Sequence, residues 1–144
     1  MQATNKNCIL LACWLCAGLM AGGVAAAEAV IVNKTVAVDS IDKETLRAVM
    51  SMRLRVWADG TPVHVFVLPD RHPAHQRFSK RILSLFPHQL RRTWDRLVYT
   101  GIGQAPTELQ NPQEMLRQVA TTPGAIGYID KEMIDDSVRQ LTIE

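Results

Sequence analysis

The chain has 144 residues, with 16 Lys and Arg against 14 Asp and Glu, and three cysteines. So small a basic excess excludes a general nucleic-acid binder, which needs many cations to neutralise phosphates. The length suits one domain built on one core.

In chain order, Lys6 precedes a stretch without charge from Cys8 to Ala27, which closes on Ala25-Ala26-Ala27 before Glu28. A charged start, an apolar middle and a small-residue end describe a secretory signal peptide over residues 1–27, removed after Ala27 to leave one domain at 28–144. The rival reading is an uncleaved anchor, because the stretch approaches the length that spans a bilayer. Its second half is mostly Ala and Gly, which favours cleavage. Cys8, Cys13 and Cys16 all fall in this leader, so Cys13-x-x-Cys16 reads as leader composition rather than a redox or zinc motif. A mature chain without thiols suits an oxidising compartment such as the periplasm.

Residues 29–33 (AVIVN) form a short β-branched run and predict a buried strand. Residues 39–50 predict a helix capped by Ser40 or Asp42, with Ile41, Leu46, Val49 and Met50 on its apolar stripe. Residues 53–57 (RLRVW) and 63–68 (VHVFVL) predict two strands joined through Asp59-Gly60, a dipeptide that favours tight turns. Two helices should follow. The first runs over about 73–83 and buries Phe78 and Ile82, with Leu83 and Leu85 as further candidates. The second runs over 87–98, with Leu90, Trp94, Leu97 and Val98 inward and Arg91, Arg92 and Arg96 outward. Each carries proline in its first turn, where the missing N–H costs least. Residues 100–106 (TGIGQAP) read as a loop. Asn111, Pro112 and Glu114 open a helix over 111–120 by a variant of the capping box. Residues 124–129 (GAIGYI) predict a strand entered through Pro123-Gly124, and 138–143 (VRQLTI) alternate like a final strand. Gly60 and Gly124 stand at turns that favour positive φ. Strands interleaved with helices indicate an α/β fold, a small mixed sheet flanked by helices.

Charge is unevenly spread. Between Arg71 and Arg96 the cations far outnumber the single acid, Asp95, whereas acids dominate from Glu108 to Glu144. One basic face is a reading of this stretch, and a solvated helix surface is the commoner one.

The segments VIVN, LRAVMSMRLRVWADGTPVHVFVL, TWDRLVYTG and PGAIGYI, in that order, resemble one lobe of the phosphate-type periplasmic solute-binding proteins, the receptors of ATP-driven importers. The resemblance runs from Val30 to about Ile129 and is most specific at W-x-D-G and PGAIGY. It implies a single periplasmic-binding-protein-like lobe in a secreted protein. In that family an Arg and a Gly-Ser-Gly-Thr turn hold the oxyanion, through converging backbone N–H groups at a helix start. Here the matching positions carry Leu68 and then Arg71, His72, Pro73 and Ala74, so those anion-holding residues are replaced.

Arg71, His72 and His75 are the candidate ligand residues, holding an anion such as phosphate by charge, with affinity rising as the imidazoles protonate below about pH 6.5. The plainer reading has Asp70 or His72 capping the helix while His75 and Arg77 face solvent. Asp70, His72 and His75 lack a zinc spacing, so no metal is expected. No nucleophile or paired carboxylate marks an enzyme, and no cofactor is implied. Trp57, Trp94, Phe66, Phe78 and Tyr128 read as core, with Trp57 partly exposed. Two functions remain: a periplasmic lobe binding a small anion weakly, or an interaction module for a membrane transporter, receptor or sensor. Self-association is a further expectation, because a lone lobe exposes the face its twin would cover.

Overall fold

The computed structural model describes residues 26–144. The expected leader, apart from Ala26 and Ala27, lies outside the described residues, as do all three cysteines. The fold is α/β. Strand β1 (Glu28–Val32) is followed by β2 (Ser40–Ile41), helix α1 (Lys43–Met50) and β3 (His64–Val67). Helix α2 (Pro73–Arg77) continues as a π-helical turn over Phe78–Leu83 and leads to α3 (Pro87–Tyr99). Strand β4 (Thr107–Glu108), helix α4 (Pro112–Thr121), β5 (Ala125–Asp130), β6 (Arg139–Gln140) and β7 (Thr142–Ile143) complete the chain.

The main sheet has the order β4-β3-β5-β1-β6, with β3 parallel to β4 and β5, and β1 antiparallel to β5 and β6. Its centre is β1 and β5, paired from Glu28 opposite Asp130 to Val32 opposite Ile126. Both strands are apolar along nearly their whole length, as a strand covered on both faces requires. Val30, Ile31, Val32, Ile126, Tyr128 and Ile129 are all buried. Asn33 ends β1 inside the protein, where its amide donates to the carbonyls of Val119 and Ala120 at the end of α4. That side chain ties helix to sheet.

Several expectations are corrected. Residues 53–57 do not form a strand: only Val56 bridges, to Pro62. The N–H groups of Arg53 and Leu54 instead turn back onto the Ala48 carbonyl, satisfying the end of α1. The Asp59-Gly60 turn does form, with Gly60 at φ +85°. Asp42 caps α1 by accepting from the Thr45 N–H at 2.9 Å, while Ser40 belongs to β2. The final strand is split at Leu141. Its first half pairs with β1 and its second with β2, because the chain leaves one strand edge for another. Val98 is half exposed rather than inward. Trp57 is buried rather than partly exposed, its indole N–H donating to the Gly124 carbonyl at 2.9 Å.

Candidate functional site

In open α/β sheets ligands gather beyond the carboxyl ends of the parallel strands. Here that place is the end of β3, where Leu68-Pro69-Asp70 leads into α2. His72 caps α2: its Nδ1 accepts from the Ala74 N–H at 3.1 Å, and its own N–H bonds the Pro69 carbonyl at 2.8 Å. Pro73 contributes no donor. The N–H groups of His72 and Ala74 are thus used within the turn.

The structure separates the three candidate ligand residues. Arg71 is exposed and His72 partly so, but His75 is wholly buried. It neither faces solvent nor joins the other two in an open site. The reason lies in β5. Tyr128 stacks on Phe78, ring centroids 3.9 Å apart, and its hydroxyl accepts from the Leu68 N–H at 2.8 Å. The hydroxyl proton is therefore free to be donated to His75 Nδ1, 2.5 Å away. With the hydroxyl as donor, the His75 proton sits on Nε2.

Nε2 has no hydrogen-bond partner, although Asp70 Oδ1 lies 3.8 Å away. Asp70 is turned elsewhere. Arg91 grips it with two hydrogen bonds, Nε to Oδ2 at 3.0 Å and an outer nitrogen to Oδ1 at 2.9 Å. The same nitrogen reaches Glu108 of β4 at 2.9 Å. Arg91, expected to point outward, thus clamps the loop to the sheet edge, with its guanidinium 5.2 Å from the Trp94 ring centroid. Its carboxylate partners hold its pKa above the usual arginine value.

The electrostatics follow from this packing. Loss of hydration pushes the His75 pKa down to about 4, against the attraction of Asp70 and with help from Arg91. Burial likewise raises the Tyr128 pKa above the ordinary phenol value. His75 therefore adds no positive charge near pH 6.5, where an anion-holding imidazole was expected to gain one. Two carboxylates and one guanidinium occupy the region instead, leaving Arg71 as the cation nearest in sequence to the turn. Sequence reasoning missed Tyr128, Arg91 and Glu108 as members of this cluster. The buried Tyr128 had a signal, its aromatic hydroxyl within an apolar strand, because such a group needs a partner. Among the described residues no group of His, Cys, Asp and Glu is arranged to hold a metal, and no helix is long and apolar enough to cross a membrane.

No protein-family model matches the chain, and no curated protein does. Solved structures do. A phosphate ABC transporter substrate-binding protein from Clostridium perfringens with bound phosphate superposes with a TM-score of 0.67 at 17% identity, over 82% of this chain and 45% of that one. An ABC-type phosphate transport receptor from Vibrio cholerae gives 0.65 at 13% identity, over 82% and 47%. PstS from Borrelia burgdorferi gives 0.63 at 13% identity, over 83% and 47%. The chain spans less than half the length of each. At such identities the likeness is one of fold, and the chain has the periplasmic-binding-protein-like fold of about half a phosphate receptor.

Proposed function

We propose that this chain is a secreted, non-catalytic lobe that docks on a membrane transporter, receptor or sensor, with phosphate binding at the start of α2 weak or lost. The observation that carries this reading is how the turn is filled: His72 caps Ala74, Pro73 has no N–H, and the His75 ring is buried against Tyr128. The solved relatives in fold are binding proteins, which favours a non-catalytic role. Docking is supported by Tyr99, 94% exposed, Ile102, 69%, and Val98, 53%, at the carboxyl end of α3. Exposed apolar side chains this close together in the chain offer a contact surface for another molecule. Self-association through the same end is the competing use, distinguished by sedimentation of the isolated domain.

Inorganic phosphate titrated calorimetrically at neutral pH is expected to bind no tighter than millimolar. Charge-assisted hydrogen bonds contribute about 1.5–3 kcal/mol each, so losing several weakens binding by orders of magnitude. Micromolar affinity that disappears in Arg71→Ala with His72→Ala would restore the anion receptor and overturn the docking reading.

Export through residues 1–27 is part of the same proposal. Protein from a periplasmic extract is expected to begin at Glu28 by intact mass. Recovery of the chain with residues 1–27 retained in the membrane fraction would refute cleavage after Ala27.

A further inference from the structure

Helices α1 and α3 border a cavity of about 530 Å³ that is separate from the α2 turn, and three arginines line it: Arg47, Arg53 and Arg96. Each guanidinium carries five N–H donors. Arg47 spends Nε on the Leu83 carbonyl at 2.6 Å and one outer nitrogen on Glu44 at 2.5 Å. Arg53 spends Nε on the Ser51 hydroxyl at 3.0 Å. Arg96 makes no side-chain hydrogen bond or ion pair among the described residues. Most of the donors are therefore uncommitted.

We propose that this cavity binds a small organic oxyanion, a carboxylate or phosphate ester carried on a short apolar body. Three cations around one cavity repel each other, and among the described residues the only carboxylate lining it is Glu44. An anion placed among them relieves that repulsion and meets planar forks suited to two-point recognition of carboxylate or phosphate. Leu85, partly exposed, also lines the cavity above the buried Leu90, which gives an apolar body one leucine to cover. Glu44 already places one carboxylate oxygen on an outer nitrogen of Arg47. Its side chain is 77% exposed, so it can swing out when a ligand takes its place. Ligands in such sites typically combine an apolar wall with a few fixed polar groups. The inference stands apart from the docking role and does not depend on it.

The test is a titration of the isotopically labelled full domain with phenyl phosphate at low ionic strength, followed by amide chemical shifts. Perturbations are expected at residues 44–53 and 85–96. Arg53→Ala with Arg96→Ala should weaken binding on the order of tenfold or more, and Arg71→Ala should leave it unchanged. Glu44→Gln should tighten it, because the internal competitor is gone. Arg53 and Arg96 are exposed, so the double variant is expected to fold, as its own amide spectrum will report. Shifts confined to residues 69–77, affinity unaltered in the double variant, or no shifts up to about 10 mM ligand would each overturn the proposal.

Discussion

Between pH 7.5 and pH 4 the folded protein is expected to lose about 3 kcal/mol of stability through His75 alone. The imidazole titrates near 6.5 in an unfolded chain and is pushed down to about 4 in the fold. Between those values the unfolded state binds the extra proton and the native state does not. Stability therefore rises with pH across this window, is complete above about 6.5, and is fully lost below about 4. The groups facing His75 set the size of the effect. Tyr128 accepts no charge and takes up Nδ1, Asp70 would favour the imidazolium, and Arg91 opposes it while holding Asp70 away. Glu108 from β4 and His72 from the turn act more weakly and in opposite directions. Urea unfolding across this pH range should show a steeper acid limb in wild type than in His75→Asn, whose amide oxygen can still accept from Tyr128 but does not titrate. If that variant is too unstable to measure, the wild-type ring can be titrated directly by NMR. A midpoint above pH 6 for His75, or parallel acid limbs in the two proteins, would mean the imidazole is not held neutral by burial.

Gly124→Ala is expected to destabilise the protein by about 3 kcal/mol or more, and Gly60→Ala by only about 1 kcal/mol. Both glycines have positive φ, +74° and +85°, so alanine is strained at either. Their surroundings separate them. A Cβ on Gly60 would meet nothing, whereas one on Gly124 would lie 2.2 Å from the Pro62 carbonyl oxygen. That oxygen is backbone and cannot step aside without moving the start of β3. Gly124 is also a crossroads for hydrogen bonds. Its carbonyl accepts from the Trp57 indole at 2.9 Å and the His64 N–H at 3.2 Å, and its N–H donates to the Thr35 hydroxyl at 3.0 Å. Relieving the clash disturbs these bonds in buried or partly buried places, where a lost partner costs about 1–3 kcal/mol. Chemical denaturation of the two variants should give clearly different midpoints. Equal midpoints would show that the Pro62 contact is soft.

Local rules carried much of the architecture. Asn111-Pro112 with Glu114 placed α4, because a cap, a first-turn proline and a backbone N–H bond are all made within a few residues. The β-branched run at 29–33 and the Ala-Ile-Gly-Tyr-Ile run gave the two central strands, since a strand buried on both faces must be apolar throughout. The turn glycines were legible because a positive φ favours glycine over residues that carry a Cβ. The aromatic core positions also followed, because no exposed role suited their apolar neighbours.

What stayed hidden depends on partners distant in the chain. Periodicity placed residues 73–83 on a helix but could not say which face meets Tyr128, 53 residues beyond His75. That contact buries an imidazole that reads as a surface group. Arg91 sits on a stripe with Arg92 and Arg96, yet Asp70 and Glu108 turn it inward across the end of the sheet. The two-residue β4 has no strand signal and exists by pairing with β3, while residues 53–57 have the signal and lack a partner edge. Composition and spacing state what each segment can bury. Which groups share a buried space, and so which pKa values move and which donors remain free, follows from packing between segments.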